Sequence, residues 1–157
     1  MSDGSGLKPQ ALGGRFKFGG LDTAAVARAE AALKSLSVNF DQWMVDELAK
    51  LEAARDAIRA EGYNAATAEN LYMRAHDIKG LGSTYGYPLV TRIGSSLCGL
   101  LHDAEARQAA PVALVEAHVD AITASVRRDI RTDTDATGRA LAEELETQAD
   151  RVTKRAA

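Results

Sequence analysis

Residues 74–86 read Arg74-Ala75-His76-Asp77-Ile78-Lys79-Gly80-Leu81-Gly82-Ser83-Thr84-Tyr85-Gly86. Starting one turn earlier at Leu71, the apolar or small positions Ala75, Ile78, Gly82 and Tyr85 follow at intervals of four, three, four and three. That alternation is the seam of a helix packed against other helices. At about 100° per residue, His76 lies roughly 140° from the centre of the seam and faces solvent. Tyr72, Met73, Lys79, Gly80 and Ser83 fall on the same side. Glycine inside a helix costs about 1 kcal/mol against alanine. Gly82 is on the seam, where close packing accounts for it. Gly80 is off the seam, and packing does not.

Working outward, Asn64 is placed to cap this helix, which is predicted to end at Tyr85 with Gly86 in the left-handed conformation. Pro88, at a first helical position, opens the next helix after a turn of only a few residues, so the two run antiparallel. Leu89, Ile93, Leu97, Leu100 and Leu101 face inward from it, and it is expected to close near Ala106. Pro111 starts a further helix, with Val112, Val115, Val119, Ile122, Val126 and Ile130 continuing the seam to about Arg131. Upstream, Asp22 or Thr23 caps a first helix reaching about Leu36, with Val26, Ala29, Leu33 and Leu36 as its stripe. Asn39 and Gln42 form a capping box for a second helix from Phe40 to Glu61. Phe40, Trp43, Met44, Leu48, Leu51 and Ile58 form its buried face, Trp43 as a core anchor, and Gly62 is its C-terminal cap. After the polar break at residues 132–135, Leu141, Leu145 and Val152 mark a last helix from about Gly138 to Lys154, with a thin stripe. The fold class is all-α: an antiparallel up-down-up-down four-helix bundle with extra N-terminal and C-terminal helices. The domain reading is a flexible tail over 1–20, which holds six of the thirteen glycines and Phe16 and Phe18, a helical bundle over 21–131, and a C-terminal helical extension over 132–157.

A chain of 157 residues is long enough for one domain with a real core. With 26% charged and 46% hydrophobic residues it reads as soluble and globular. The net charge of -3 and the lack of a basic run argue against nucleic acid. No apolar run approaches the roughly 18 residues of a membrane span, and the start of the chain lacks a secretion signal. The single cysteine, Cys98, allows no internal disulfide and reads as a buried small hydrophobe. The cytoplasm is the expected location. No pair of inward-facing Glu-x-x-His motifs suggests a metal. There is no Walker-type glycine loop, and no Ser-His-Asp arrangement is legible. His102 is read near a helix C-terminus, where a cation suits the dipole, and His118 at the edge of a packed face.

The chemistry that suits the His76 face is phosphoryl carriage. Neutral imidazole is a nucleophile near pH 7. A phosphoryl group brings about two negative charges, over which Lys79 can hold its ammonium. Gly80 leaves space beside the ring for another protein's active site. The pattern His-x-x-Lys-Gly, with a further glycine ten residues after the histidine (His76, Lys79, Gly80 and Gly86), resembles the histidine phosphotransfer (HPt) domain of bacterial two-component phosphorelays. It is especially similar to the phosphoacceptor domain of chemotaxis kinases. The motif covers about a dozen residues, and the helical pattern is compatible with the family over about 37–131.

That resemblance implies a phosphohistidine carrier and no enzyme in its own right. His76 would accept a phosphoryl group from a receiver-domain aspartate and pass it to another, with the distal ring nitrogen as carrier. Lys79 would stabilise the phosphoryl group and Gly80 would give steric access. Tyr72 and Met73, with Ser83 at the rim, are the candidate partner-binding residues. No cofactor is expected on this chain, since the Mg²⁺ would belong to the receiver. The implied partners are response-regulator receiver domains and a sensor or hybrid histidine kinase, with this protein a monomer. Two alternatives stay open: a phosphoacceptor that takes phosphate directly from a histidine kinase, and a helical protein-interaction module without phosphate chemistry.

Overall fold

The computed structural model describes residues 22–156. Among them are six helices and no strand: α1 (Thr23–Glu61), α2 (Ala65–Gly82), α3 (Pro88–Leu100), α4 (Ala104–Ala109), α5 (Val112–Arg127) and α6 (Ala136–Ala156). The all-α class read from the periodicity holds. None of these helices is long and apolar enough to cross a membrane. The described residues divide between Asn39 and Phe40 into two units. The expected tail over 1–20, with Phe16 and Phe18, lies outside the described residues.

In the first unit, the Asp22 carboxylate accepts the Ala24 N–H at 3.0 Å, so the predicted cap is present. Two expectations fail. The break at 37–39 is absent, and α1 runs through it as one helix of 39 residues. Ser37, Val38 and Asn39 are middling helix formers, but none removes a backbone donor or forces a non-helical φ. Gln42 reaches forward to the Asp46 carboxylate at 3.0 Å instead of back to Asn39. The stripe assigned to the first helix is also not buried, since Ala29, Leu33 and Leu36 are exposed.

In the second unit, Met44, Leu48, Leu51, Ala54 and Ile58 of α1 enter a core completed by Leu71, Ala75 and Ile78 of α2, Leu89 to Leu97 of α3, and Val115 to Val126 of α5. Burying a side chain of this kind stabilises by about 1.5–3 kcal/mol, and this shared core holds the helices together. The α1–α5 pair is antiparallel, as its ion pairs show: Glu52 with Arg127, Arg55 with Asp120, and Arg59 with Glu116. Trp43 is not the core anchor expected. It remains 43% exposed and leans with Phe40 on Tyr85, ring centroids 5.5–5.9 Å apart.

α3 ends at Leu100 rather than near Ala106. The reason is Asp103, whose carboxylate accepts the Ala106 N–H at 2.7 Å and starts the separate helix α4. α5 stops at Arg127, short of Arg131, where Asp129 takes a left-handed φ of 57° and the Ile130 N–H returns to the Ser125 carbonyl. α6 starts two residues before Gly138, under an Asp135 carboxylate that accepts the Gly138 N–H at 2.9 Å. Of its thin stripe Leu145 is buried while Leu141 and Val152 are half-buried; Ala142 and Ala149, outside that stripe, complete the buried face, and Arg92 of α3 grips Glu146 through two bonds of 2.7 and 2.8 Å. The Arg92 bond holds the Glu146 carboxyl below its usual range, against the opposing effect of burial.

Candidate functional site

The site is built on α2, and both its ends are set locally. Asn64 Oδ1 accepts the Thr67 N–H at 3.0 Å while Thr67 Oγ1 accepts the Asn64 N–H at 3.0 Å, a reciprocal cap. At the other end the Tyr87 N–H bonds the Gly82 carbonyl at 2.7 Å and the Gly86 N–H bonds the Ser83 carbonyl at 3.1 Å. Those two bonds make a Schellman turn with Gly86 at a φ of +89°, a value only glycine adopts freely. Regular helix ends at Gly82, but the Tyr85 N–H still reaches the Leu81 carbonyl, so the last turn extends as the sequence suggests.

α3 then folds back along α2, and two glycines set how close it comes. A Cβ at Gly82 would stand 2.5 Å from Thr91 Oγ1 and 3.0 Å from the Tyr87 carbonyl oxygen. A Cβ at Gly94 would stand 3.1 Å from Lys79 Cβ. The Thr91 hydroxyl enters the backbone ladder of α2: it donates to the Lys79 carbonyl at 2.9 Å and accepts the Ser83 N–H at 2.8 Å. Gly82 on the seam is explained as the sequence suggested. Gly94 and Thr91 were missed, because a helix-to-helix contact leaves no signature in the pattern of either helix alone.

On this frame His76 is exposed. The histidine nitrogens with partners among the described residues are those of His102 and His118, and neither ring nitrogen of His76 has one there. Its nearest aromatic neighbour is Tyr72, centroid to centroid 6.4 Å and tilted by 46°. Lys79 is half-buried, its stem against α3 at Gly94. It makes no ion pair among the described residues. Helical side chains lean towards the N-terminus, which aims the ammonium back towards the level of His76. Cys98, one turn beyond Gly94 on α3, feels that charge: burial pushes its thiol pKa up, and Lys79 opposes the rise. A Cβ placed on Gly80 would meet nothing within 4 Å. An exposed nucleophile, a cation held by its stem and an open approach therefore share one face.

The other candidates divide. Met73 is 57% exposed on the same face. Ser83 is exposed, but its backbone and hydroxyl are tied to Thr91. Tyr72 is half-buried and packs on the core, with the Arg107 guanidinium carbon 5.3 Å from its ring centroid. It is therefore less open than its place on the helical wheel suggests. Arg107, on α4, was not singled out from the sequence. His102 is exposed and contacts the Gly99 carbonyl at 3.0 Å. His118 is not at an edge but fully buried. Its Nδ1 donates to the Leu114 carbonyl at 2.8 Å and its Nε2 accepts from the Ser96 hydroxyl at 2.9 Å. Burial drives its pKa down, against the backbone bond, and keeps it neutral. Cys98 is buried, as read from its apolar surroundings. Among the described residues no group of three or more His, Cys, Asp or Glu side chains is placed to hold a metal. Comparison of the chain with protein-family models, with curated proteins and with solved structures gives no match.

Proposed function

We propose that this chain is a histidine phosphotransfer module. The observation that carries the reading is the single face on which, among the described residues, neither ring nitrogen of His76 has a partner, Lys79 lies one turn on without a carboxylate partner, and a Cβ on Gly80 would meet nothing within 4 Å. An unprotonated imidazole nitrogen attacks the phosphorus of an aspartyl phosphate on a receiver domain. The N–P bond forms, the P–O bond to the aspartate breaks, and the carboxylate leaves with the electron pair. Lys79 offsets charge on the phosphoryl oxygens. Transfer to a second receiver runs the same step in reverse, with the Mg²⁺ held by the receiver's own carboxylates. In this reading residues 40–61 of α1 with α2, α3 and α5 form the up-down-up-down bundle of such modules, α6 is an addition, and the protein works in the cytoplasm.

The test is incubation with a phosphorylated receiver. Label is expected on the wild type, lost in acid and stable in base, as phosphohistidine is. His76→Ala is expected to take none while keeping its helicity and melting point, because an exposed side chain carries little stability. Full labelling of that variant removes the assignment. Label from a kinase and ATP but from no receiver leaves His76 as acceptor and makes the donor a kinase.

A further inference from the structure

The face around His76 has a buttress that the phosphoryl chemistry does not require. Tyr72 sits at i−4 from His76, and helical side chains lean towards the N-terminus, so the imidazole leans onto the Tyr72 ring. The two centroids are 6.4 Å apart. Tyr72 cannot swing away freely, because it is half-buried against the core and the Arg107 guanidinium sits 5.3 Å from its centroid. Arg107 is fixed in turn. It donates to the Leu101 carbonyl at 3.0 Å, and its own carbonyl accepts from the Tyr63 hydroxyl. Tyr63 is itself half-buried, and burial raises its pKa. A short helix, α4, thus reaches the nucleophile through one aromatic ring. On the C-terminal side of the imidazole, a Cβ on Gly80 would meet nothing within 4 Å.

We propose that Tyr72 is a positioning residue for His76, held by Arg107, and that it directs the imidazole towards the open side where a phosphoryl donor approaches. This inference rests on the phosphotransfer reading for its purpose, but not for its geometry. An unhindered helical imidazole spreads over two or three side-chain rotamers. A wall on one side leaves fewer, so removing it dilutes the productive one by up to about two- to threefold.

The experiment follows His76 by NMR in the full chain, through its ring protons, and measures phosphorylation by phosphoramidate alongside. In the wild type the Tyr72 ring current is expected to displace the His76 ring-proton shifts. Tyr72→Ala is expected to return them to values typical of exposed histidine and to slow labelling by up to about two- to threefold. Tyr72→Phe keeps the ring and is expected to restore both. Arg107→Gln keeps Tyr72 but frees it, so the displacement is expected to shrink without vanishing. Thermal melts of all variants separate loosening of α4 from an effect on His76. Shifts unchanged by Tyr72→Ala overturn the proposal, and so does a Tyr72→Phe variant that behaves like Tyr72→Ala. If the shifts move as described while wild-type His76 takes phosphate neither from phosphoramidate nor from any receiver, the phosphotransfer reading falls and the positioning contact stands.

Discussion

Gly80 and Gly82 are two residues apart on one helix, and replacing each by alanine separates access from packing. At Gly80 a Cβ meets nothing within 4 Å, so only helix propensity acts. Gly80→Ala is expected to stabilise by up to about 1 kcal/mol. At Gly82 the Cβ would stand 2.5 Å from Thr91 Oγ1, 2.9 Å from Thr91 N and 3.0 Å from the Tyr87 carbonyl oxygen. The last two are backbone and cannot turn aside. If the Thr91 hydroxyl rotates, it gives up its bonds to Lys79 and Ser83, each contributing about 1 kcal/mol. Overpacking of this kind costs about 1–3 kcal/mol, so Gly82→Ala is expected to destabilise by about 2 kcal/mol. For a unit of this size the melting point moves by roughly 3–5 °C per kcal/mol. Circular dichroism melts and urea titrations are expected to move in opposite directions for the two variants. A Gly80→Ala variant no more stable than the wild type refutes the open-space argument. A Gly82→Ala variant as stable as the wild type refutes the α2–α3 contact. Gly80→Gln then isolates function: its fold is expected to hold while transfer from a receiver slows, and an unchanged rate would give this glycine another purpose.

Two further outcomes follow from the site and the core. Lys79→Ala is expected to slow transfer about ten- to a hundredfold at saturating receiver, with Lys79→Arg retaining part of the rate because charge survives and geometry does not; equal rates for all three proteins would reduce Lys79 to a surface residue. His118 has a folded pKa held below its unfolded value near 6.5, so only the unfolded chain takes up a proton as pH falls. Its contribution to stability is complete above about pH 6.5 and declines below it. Asp103 and Glu146, whose pKa values are lowered, titrate further down. Urea midpoints between pH 7.5 and 5.5 are expected to fall, and NMR is expected to keep His118 neutral with its proton on Nδ1; a His118 that titrates at its unfolded value contradicts this.

The parts of the fold legible from sequence were those in which a helix's own pattern decides. The seam from Leu71 to Tyr85, the exposure of His76, the cap at Asn64 and the left-handed Gly86 are set within one element and its ends. What escaped was decided between elements or by weak signals. Ser37-Val38-Asn39 looked like a boundary because two of its residues suit caps, yet nothing there breaks the backbone ladder. Asp103 starts α4 by the same capping chemistry, but the apolar run from Leu97 to Leu101 masked it. His118 reads as an edge residue until Ser96 and the Leu114 carbonyl are seen to satisfy both its nitrogens. Arg107 beside Tyr72 joins residues 35 positions apart, which no local pattern reports.

The Thr91 hydroxyl has a mechanical consequence for the end of α2. The Ser83 amide and the Lys79 carbonyl would ordinarily serve each other within one helix, but each is completed by a side chain from α3. The last turn of α2 therefore cannot fray alone: releasing it means drawing Thr91 out, which also loosens the close approaches at Gly82 and Gly94. The cation-bearing turn and the first turns of α3 open and close as one cooperative piece. Lys79 is then anchored less to the helix that carries it than to its neighbour, and a strain applied at the exposed face is shared by both helices before it reaches the core.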